Sequence, residues 1–332
     1  MPGPASGQGR GLDKEVLELP GTDMWNMSFT PPVVIEARAL TRLPDRYREP
    51  RENPWASANK PGHRVDCFLE GPAFDRDGNL YVTDIPYGRI FRIGPSLDWE
   101  LIVEYDGWPN GIAIHADGSL WIADYRRGIV RLDPKTGAID TPLGHRNSEG
   151  FKGPNDLTFD AAGNLYFTDQ GQTGLHDPTG RVYRLAPSGK LDRLLDNVPS
   201  PNGIALDREE SFLYTAVTRA NSVWRGPLLA DGSLSKVGAF RTFFGASGPD
   251  GLAVDADNRL VVAHASLGGA FLVEPNGDVT HFIRSPMGGT VTNIAYRPGT
   301  SRLVMTESRS GTVLEAELPA EGLPLFSHSP VR

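Results

Sequence analysis

The sequence predicts an all-β fold, a single six-bladed β-propeller with four antiparallel strands per blade. One hairpin pattern, two apolar runs joined by a turn, recurs six times, and its first polar residue recurs at spacings of 40, 45, 47, 48 and 43 residues. A period in the forties is typical of propeller blades. The apolar runs alternate with period two, which indicates strands and argues against a helical solenoid. The 38 glycines and 28 prolines among 332 residues suit a chain made of many turns.

Each repeat begins with a polar residue, called here the opener, and ends 14 or 15 residues later with a residue called the closer. The openers are Glu70, Asn110, Asn155, Asn202, Asp250 and Asn293. The closers are Asp84, Asp124, Asp169, Val217, His264 and Glu307. The two strands of a hairpin are antiparallel, so each opener lies at the same end as its closer. If the opening strand is innermost in each blade, the six openers surround the central channel.

Further strand-like runs follow each hairpin, which predicts four strands per blade. The last repeat lacks a fourth run, and we expect residues 33–43, "VVIEARALTRL", to supply its outer strand and so remove an exposed edge. Residues 44–66 would then cross to the first blade. The predicted organisation is a flexible N-terminal arm over 1–32, one propeller over 33–320 and a C-terminal tail over 321–332.

Composition excludes several classes of partner. The formal charge is −8 and no basic cluster is present, which argues against nucleic acid. No apolar run reaches about 18 residues, so no membrane span is predicted, and the first residues lack the apolar core of a secretory signal. The single cysteine, Cys67, predicts a reducing, cytoplasmic location. Assembly into a homo-oligomer stays open.

The openers predict a central metal ion. Asn and Asp commonly begin strands because their side chains bond the neighbouring backbone, so any one opener has a purely structural alternative. Six amide and carboxylate groups around one axis are different, because clustered carboxylates repel one another unless a cation holds them. Oxygen ligands suit a divalent cation, Ca²⁺ first, with Mg²⁺, Mn²⁺, Zn²⁺ or Fe²⁺ as alternatives.

Several stretches resemble the SMP-30/gluconolactonase family of six-bladed propellers. They are "EGPAFDRDGNLYVTD", "GPNDLTFDAAGNLYFTD", "SPNGIALD" and "GPDGLAVDADNRL". The resemblance covers about residues 65–318 and implies metal-dependent lactone hydrolysis, by an enzyme of the carboxylic-ester hydrolase type. It implies that the metal ligands are Glu70, Asn155, Asn202 and Asp250. Animal-type sugar lactonases place an Arg two residues before the "ND" Asn, where this chain has Gly153.

A hydrolytic reaction also needs a group that takes a proton from water. The resemblance makes Asp250 the first candidate. His264 is the second, because it closes the hairpin that Asp250 opens and an imidazole titrates near neutral pH; its alternative is a structural histidine. The acidic closers Asp84, Asp124, Asp169 and Glu307 are expected behind the ring, where they orient the ligands or bond loop backbone.

Substrate contacts are expected from loops at the opener end of the propeller. The candidates are Asn110, Gln170, His176, Arg219 and Asn293. The expected partner is a small lactone, derived from a sugar or another hydroxy acid. Two alternatives stay open: a non-catalytic propeller that binds ligands or partners, and an organophosphorus-ester hydrolase of similar fold.

Overall fold

The computed structural model describes residues 31–328. Six blade sheets, five of four strands and one of five, form the ring, and the innermost strand of each contacts the innermost strands of its two neighbours. The ring of contacts is complete, since β25 of the sixth blade packs against β3 of the first. The predicted six-bladed propeller is confirmed.

The strands of each blade run from the central channel outwards. Blade one contains β3 (Leu69–Phe74), β4 (Leu80–Asp84), β5 (Arg89–Ile93) and β6 (Trp99–Glu104). Blade two contains β7 (Pro109–Ile114), β8 (Leu120–Asp124), β9 (Gly128–Leu132) and β10 (Ile139–Leu143). Blade three contains β13 (Pro154–Phe159), β14 (Leu165–Asp169), β15 (Gly180–Leu185) and β16 (Leu191–Val198). Between blades two and three lies a small hairpin, β11 (His145–Arg146) and β12 (Glu149–Gly150).

The second half of the ring continues the pattern. Blade four contains β17 (Pro201–Leu206), β18 (Phe212–Val217), β19 (Ser222–Pro227) and β20 (Gly238–Thr242). Blade five contains β21 (Pro249–Val254), β22 (Leu260–His264), β23 (Gly269–Val273) and β24 (Val279–Arg284). Blade six contains β25 (Val291–Tyr296), β26 (Arg302–Glu307) and β27 (Thr312–Glu317).

The N-terminal segment closes the ring in a way that differs in part from the expectation for residues 33–43. Only β2 (Arg38–Arg42) is the outer strand of blade six, antiparallel to β27. β1 (Val33–Glu36) instead adds a fifth strand to blade five, parallel to β24. Ion pairs accompany the assignment of the two strands to different blades. Glu36 of β1 pairs with Arg284 of blade five, and Arg38 of β2 pairs with Glu315 of blade six. The segment thus joins two neighbouring blades.

Hydrophobic packing between neighbouring blades forms the core. One cluster, for example, joins Tyr81 and Ile90 of blade one to Ile112, Ile122 and Val130 of blade two. Burial of these side chains stabilises by about 25 cal/mol for each Å² of apolar surface removed from water. The period-two pattern therefore gives each blade two apolar faces, one for each neighbouring blade.

Aspartate side chains stabilise the turns at the far ends of the hairpins. In blade one, Asp75 Oδ1 accepts hydrogen bonds from the backbone amides of Asp77 and Asn79, at 2.9 Å each. Asp160 holds the corresponding turn of blade three through Ala162 and Asn164. Side chains of this kind fold back on their own backbone and stabilise tight turns, so these aspartates belong to the turns.

The remaining helical structure lies in the connections. Helix α1 (Pro54–Asn59) lies between β2 and β3, and its N-terminus is capped by Asn53 Oδ1, which accepts from the Ala56 amide at 2.7 Å. Trp55 of this helix is buried against Phe68, with ring centroids 4.8 Å apart. Single turns of 3₁₀-helix occur at Asp45–Tyr47, Ile85–Tyr87, Thr218–Ala220 and Phe326–His328. No helix within residues 31–328 is long and apolar enough to cross a membrane.

Candidate active site

All six openers lie on innermost strands, and each is buried, with 4 to 9% of its surface exposed. In every blade the pairing between the first two strands shifts register at the opener or directly after it. Such a bulge breaks the alternation of side chains and re-aims the residues around it. The openers Glu70, Asn110, Asn155, Asn202, Asp250 and Asn293 are thereby placed on the inner ring of the propeller, which we call the opener ring.

Glycine after the opener allows the neighbouring blade to approach closely. A Cβ atom added to Gly111 would lie 2.2 Å from Asp156 Oδ1, and one added to Gly251 would lie 2.1 Å from Asn293 Oδ1. Real Cβ atoms do not come so near to other atoms, so a larger residue would push the blades apart. The Gly of "PNG" and "PDG" therefore sets the width of the opener ring.

Blade three departs from this rule. The residue after the opener is Gly in four blades and Ile in the sixth, but it is Asp156 in blade three. Asp156 is 8% exposed, its backbone amide donates to Thr168 Oγ1 at 3.0 Å, and its Oδ1 accepts from the Leu157 amide at 2.9 Å. The bulge brings Asn155 and Asp156 to the ring together. Asp156 is a site residue that the strict period-two reading of the sequence misses.

Burial raises the pKa of three carboxyl groups at the opener ring, and repulsion from a neighbouring carboxylate adds to the shift in two of them. Burial, together with the neighbouring Glu70 carboxylate, raises the pKa of Asp156 to about 8. Burial, then Glu70 and Asp156, raise the pKa of Asp250 well above its usual range. Burial also raises the pKa of Glu70, against hydrogen bonds from the Gly71 amide and the Asn293 side chain. Like charges out of water disfavour ionisation in this way unless a cation is present.

Two amide side chains complete the inner surface. Asn202 Oδ1 is buried and has no hydrogen-bond donor among the described residues. Asn155 Nδ2 donates to Gln170 Oε1 at 2.9 Å, which leaves Asn155 Oδ1 as the acceptor end of that amide. A buried acceptor without a partner costs about 1–3 kcal/mol, so such atoms usually have a partner of another kind.

The residues present fit a hard divalent cation. Within residues 31–328 no three Asp, Glu, His or Cys side chains form a metal site by themselves, so a cation would need the amide oxygens of Asn155 and Asn202 in addition to carboxylates. Glu70, Asp250 and the unpartnered Asn202 Oδ1 offer the oxygen donors that Ca²⁺ prefers. That Glu70, Asn155, Asn202 and Asp250 are the ligands, as the family resemblance implies, stays a prediction.

The acidic closers bond loop backbone and nearby side chains. Asp84 accepts from the Phe68 amide at 2.7 Å and pairs with the buried Arg89. Asp169 accepts from the Gly153 amide at 2.8 Å. Each therefore ties the loop before its own blade's opener to the end of the second strand.

The other two acidic closers make similar contacts. Asp124 accepts from the Tyr105 hydroxyl at 2.8 Å and from the amides of Arg126 and Arg127. Glu307 accepts from the Thr290 and Ser310 amides at 3.0 and 2.7 Å. Of the two roles expected for these carboxylates, their contacts favour the bonding of loops over the direct orientation of ligands.

His264 lies in an apolar environment. It has no solvent exposure, its ring packs between Phe243 and Phe271, and neither ring nitrogen has a side-chain or backbone partner among the described residues. Burial lowers the pKa of His264 to about 4. Its registered partner across the hairpin is Pro249, not Asp250. These surroundings favour a neutral, structural histidine.

A cavity of about 550 Å³, which we call the mouth, lies among the loops at the opener end of blades three and four. Gln170, His176 and Arg219, three of the predicted substrate contacts, line it together with Asn59 of α1 and Ser200. Gln170 connects the cavity to the opener ring, since it accepts from Asn155 and donates to Ser200 Oγ at 3.0 Å. The other two predicted contacts lie deeper: Asn110 is buried, and Asn293 Nδ2 donates to Glu70 Oε2 at 2.9 Å.

Tyr125 occupies the place next to Gly153. A Cβ atom at Gly153 would lie 2.5 Å from the Tyr125 ring, so no larger residue fits there as the structure stands. The Tyr125 hydroxyl accepts from Gln172 Nε2 at 3.0 Å. At this point the mouth is formed by an aromatic ring and an amide, not by a basic side chain.

A second cavity, also of about 550 Å³, lies in the other half of the channel. Its walls are the apolar parts of the inner strands, and the C-terminal segment 322–328 covers it. Phe326 of that segment packs against His115 and Phe159, with ring centroids 5.1 and 5.4 Å away. Asp156 and Asn293 also line this cavity, whereas the loops of the mouth offer more polar side chains to a polar substrate.

Comparison with known proteins gives a consistent picture. The family model described as the SMP-30/gluconolactonase/LRE-like region matches residues 68–309. Lactonase drp35 from Staphylococcus aureus is 31% identical over 277 residues, covering 76% of this chain and 81% of the relative. Lactonase drp35 from Staphylococcus epidermidis is 29% identical over 270 residues, with 76 and 80% coverage.

Solved structures of similar fold include a gluconolactonase and a calcium-binding regucalcin. A gluconolactonase from Xanthomonas campestris has a TM-score of 0.69 and 24% identity, covering 85% of this chain and 99% of that one. A calcium-binding regucalcin from Agrobacterium tumefaciens has a TM-score of 0.69 and 22% identity, with 89 and 98% coverage. These two similarities support the fold. The family model and the sequence relatives go further, and they show that the chain belongs to the SMP-30/gluconolactonase/LRE-like family.

Proposed function

We propose that the protein is a lactonase, a carboxylic-ester hydrolase that opens a small lactone with the help of a divalent cation held at the opener ring. The observation that carries this proposal is the meeting of buried carboxylates with the unpartnered Asn202 Oδ1 on one axis. Family membership supports lactone hydrolysis, because the sequence relatives at about 30% identity are named lactonases.

Glu70, Asn155, Asn202 and Asp250 are the residues that we propose to hold the cation, most suitably Ca²⁺. When bound, a divalent ion supplies electrophilic stabilisation for the negative charge that develops on a carbonyl oxygen. The protein contributes the placement: the glycines after the openers fix the spacing of the ring, and Gln170 holds the Asn155 amide. A rigid set of donors needs no reorganisation when substrate binds.

The water that attacks the lactone must lose a proton. We assign this role to Asp250, which lies on the opener ring, and not to His264, whose nitrogens are enclosed by Phe243 and Phe271. Asp156 is a second carboxyl group on the same ring and is placed to hold a proton on the side of the ring that faces the inner cavity. Gln170, His176 and Arg219 line the mouth, where they would contact the substrate.

The two alternative functions predict different properties of the site or of its substrates. A non-catalytic scaffold has no need for a buried set of mutually repelling carboxylates, which lowers stability. An organophosphorus-ester hydrolase would use the same cation, and only its substrates distinguish it. The relatives named lactonase favour the carboxylic ester.

The test is acid release from a panel of lactones and from a phosphotriester, with Ca²⁺ present, by the wild type and by Asp250→Asn. We expect lactone hydrolysis that exceeds phosphotriester hydrolysis and that falls by at least about 10²-fold in Asp250→Asn. Glu315→Gln, which changes a buried carboxylate on β27, the third strand of blade six, is the control. No hydrolysis of any lactone by a folded, Ca²⁺-loaded wild type would overturn the proposal.

We also propose a cytoplasmic location, on the basis of cysteine use. Cys67 is buried, and burial raises the pKa of its thiol far above the usual range. A single inert thiol suits a reducing compartment.

A further inference from the structure

Three basic side chains from distant parts of the chain lie at the opener end of the propeller. Lys60 directly follows helix α1, whose last residue, Asn59, lines the mouth cavity. Arg219 lines the same cavity. Arg309 lies two residues after the closer Glu307, in the turn between β26 and β27. We call these three residues the cationic rim.

The cationic rim lacks negative partners of its own. Within residues 31–328 none of its three members forms an ion pair with a carboxylate, whereas other basic residues such as Arg89 and Arg284 do. All three residues are exposed at the surface, although the Lys60 ammonium group is partly buried. Lys60 Nζ lies 5.3 Å from the centre of the Phe68 ring, which holds its stem against the protein. The rim therefore offers charge and hydrogen-bond donors to something outside the described chain.

The members of the rim also act on one another and on the opener ring. The pKa of Lys60 is lowered by burial and by repulsion from Arg219 and Arg309, while attraction to Asp250 opposes that shift. Gln170, which accepts from the opener Asn155, and Arg219 of the rim line the same cavity, so one small molecule in that cavity would lie beside both.

We propose that the cationic rim selects lactones that carry a second, anionic substituent, a carboxylate or a phosphate remote from the lactone carbonyl. The inference rests on the proposed lactonase function and specifies its substrate class. A cavity of about 550 Å³ has the size of a small-molecule site. Substrate bound with its carbonyl at the opener ring would leave a distal anion at the rim, where charge-assisted hydrogen bonds from Lys and Arg are strong.

Three probes of nearly equal shape test the proposal: a neutral hexono-1,5-lactone, the same lactone with a 6-phosphate, and a hexarolactone with a 6-carboxylate. Initial rates of acid release with Ca²⁺ present give kcat/KM for each probe at low and at high salt. We expect at least one anionic probe to exceed the neutral one by about ten-fold or more. The preference should shrink as salt screens the exposed charges. The anionic probe with the higher value identifies the preferred group.

Single substitutions test whether the preference for anionic probes depends on the cationic rim. Lys60→Met and Arg219→Gln remove the charge but keep part of the unbranched side chain. We expect each to reduce the preference for the anionic probe by about ten-fold, mainly through KM, since the group binds away from the reacting carbonyl. Lys135→Met, in the exposed turn between β9 and β10 at the far end of blade two, is the control and should keep the preference. Melting temperatures of all variants check that they are folded.

The outcomes separate this inference from the function on which it rests. Hydrolysis of neutral and anionic lactones at equal efficiency, with equal effects of the rim variants on both, overturns the cationic rim and leaves the lactonase intact. A preference that Lys135→Met changes as much as Lys60→Met also overturns it. Failure to hydrolyse any lactone overturns the proposed function, and this inference with it.

Discussion

Glu70→Gln is expected to have opposite effects on the protein without and with a divalent ion. Both hydrogen bonds to Glu70, from the Gly71 amide at 2.8 Å and from Asn293 Nδ2 at 2.9 Å, go to Oε2, and the oxygen of glutamine can accept both. The substitution therefore removes one charge at nearly constant shape. What changes is the repulsion among Glu70, Asp156 and Asp250 and the attraction of the ring for a cation.

The expected magnitudes follow from that charge. In the ion-free protein, Glu70 is a cause of the raised pKa of Asp156, about 8, so its charge destabilises the folded state. Replacing a poorly compensated buried charge by a neutral group stabilises by about 1–4 kcal/mol. In the wild type, an ion at 100 times its Kd adds about 2.7 kcal/mol, which is about 5 °C in melting temperature at roughly 2 °C per kcal/mol for a chain of this size.

The assay is thermal unfolding with chelator and with excess Ca²⁺. We expect Glu70→Gln to melt at the same or a higher temperature than wild type in chelator, and to lose most of the shift of about 5 °C with Ca²⁺. Glu315→Gln should keep that shift, since its partner is Arg38 on the outer strand. A Glu70→Gln protein that is less stable in chelator and responds fully to Ca²⁺ would refute the reasoning.

Three further outcomes are expected. Asn202→Asp adds a carboxylate where an amide oxygen has no partner, so melting in chelator should fall while the Ca²⁺ shift grows; a smaller Ca²⁺ shift counts against the site. His264→Phe should lessen the loss of stability between pH 6.5 and 4, because the unfolded histidine takes up a proton there while the folded one, with a pKa of about 4, does not. The upper limit of that loss is about 3 kcal/mol at 1.36 kcal/mol per pKa unit. Chemical denaturation at pH 4.5 and 7.5 measures it, and equal pH dependence of the two proteins contradicts the prediction. Gly111→Ala should lower the free energy of unfolding by about 1–3 kcal/mol, because its Cβ would lie 2.2 Å from Asp156 Oδ1, whereas Gly150→Ala, in open space, should change it little in the same denaturation assay.

Much of the fold was predictable because it repeats. Six copies of one alternating hairpin leave few architectures other than a propeller, and antiparallel pairing places opener and closer together. The closing strand was predictable from the missing fourth strand of blade six. Its division into β1 and β2 was not, because the ion pairs of Glu36 with Arg284 and of Arg38 with Glu315 form between residues about 250 or more positions apart.

The openers of the candidate site were predictable from the sequence, but the neighbouring Asp156 and Lys60 were not. The bulge after each opener is a tertiary effect of six strands that converge on one axis, and strict period two would place Asp156 on the face opposite Asn155. One signal was present: among the six repeats only blade three has an acidic residue after the opener. The place of Lys60 at the mouth depends on how α1 packs through Trp55, and local sequence does not report that packing.

The central claim is that a divalent ion held by the opener ring is needed for lactone hydrolysis. Its most direct test is acid release from a lactone by protein that has been stripped with chelator, shown to be metal-free by elemental analysis, and then supplied with Ca²⁺, Mg²⁺, Mn²⁺, Zn²⁺ or Fe²⁺ in turn. We predict that the stripped protein is folded and inactive and that at least one ion restores hydrolysis. Full activity in the verified metal-free protein would contradict the account.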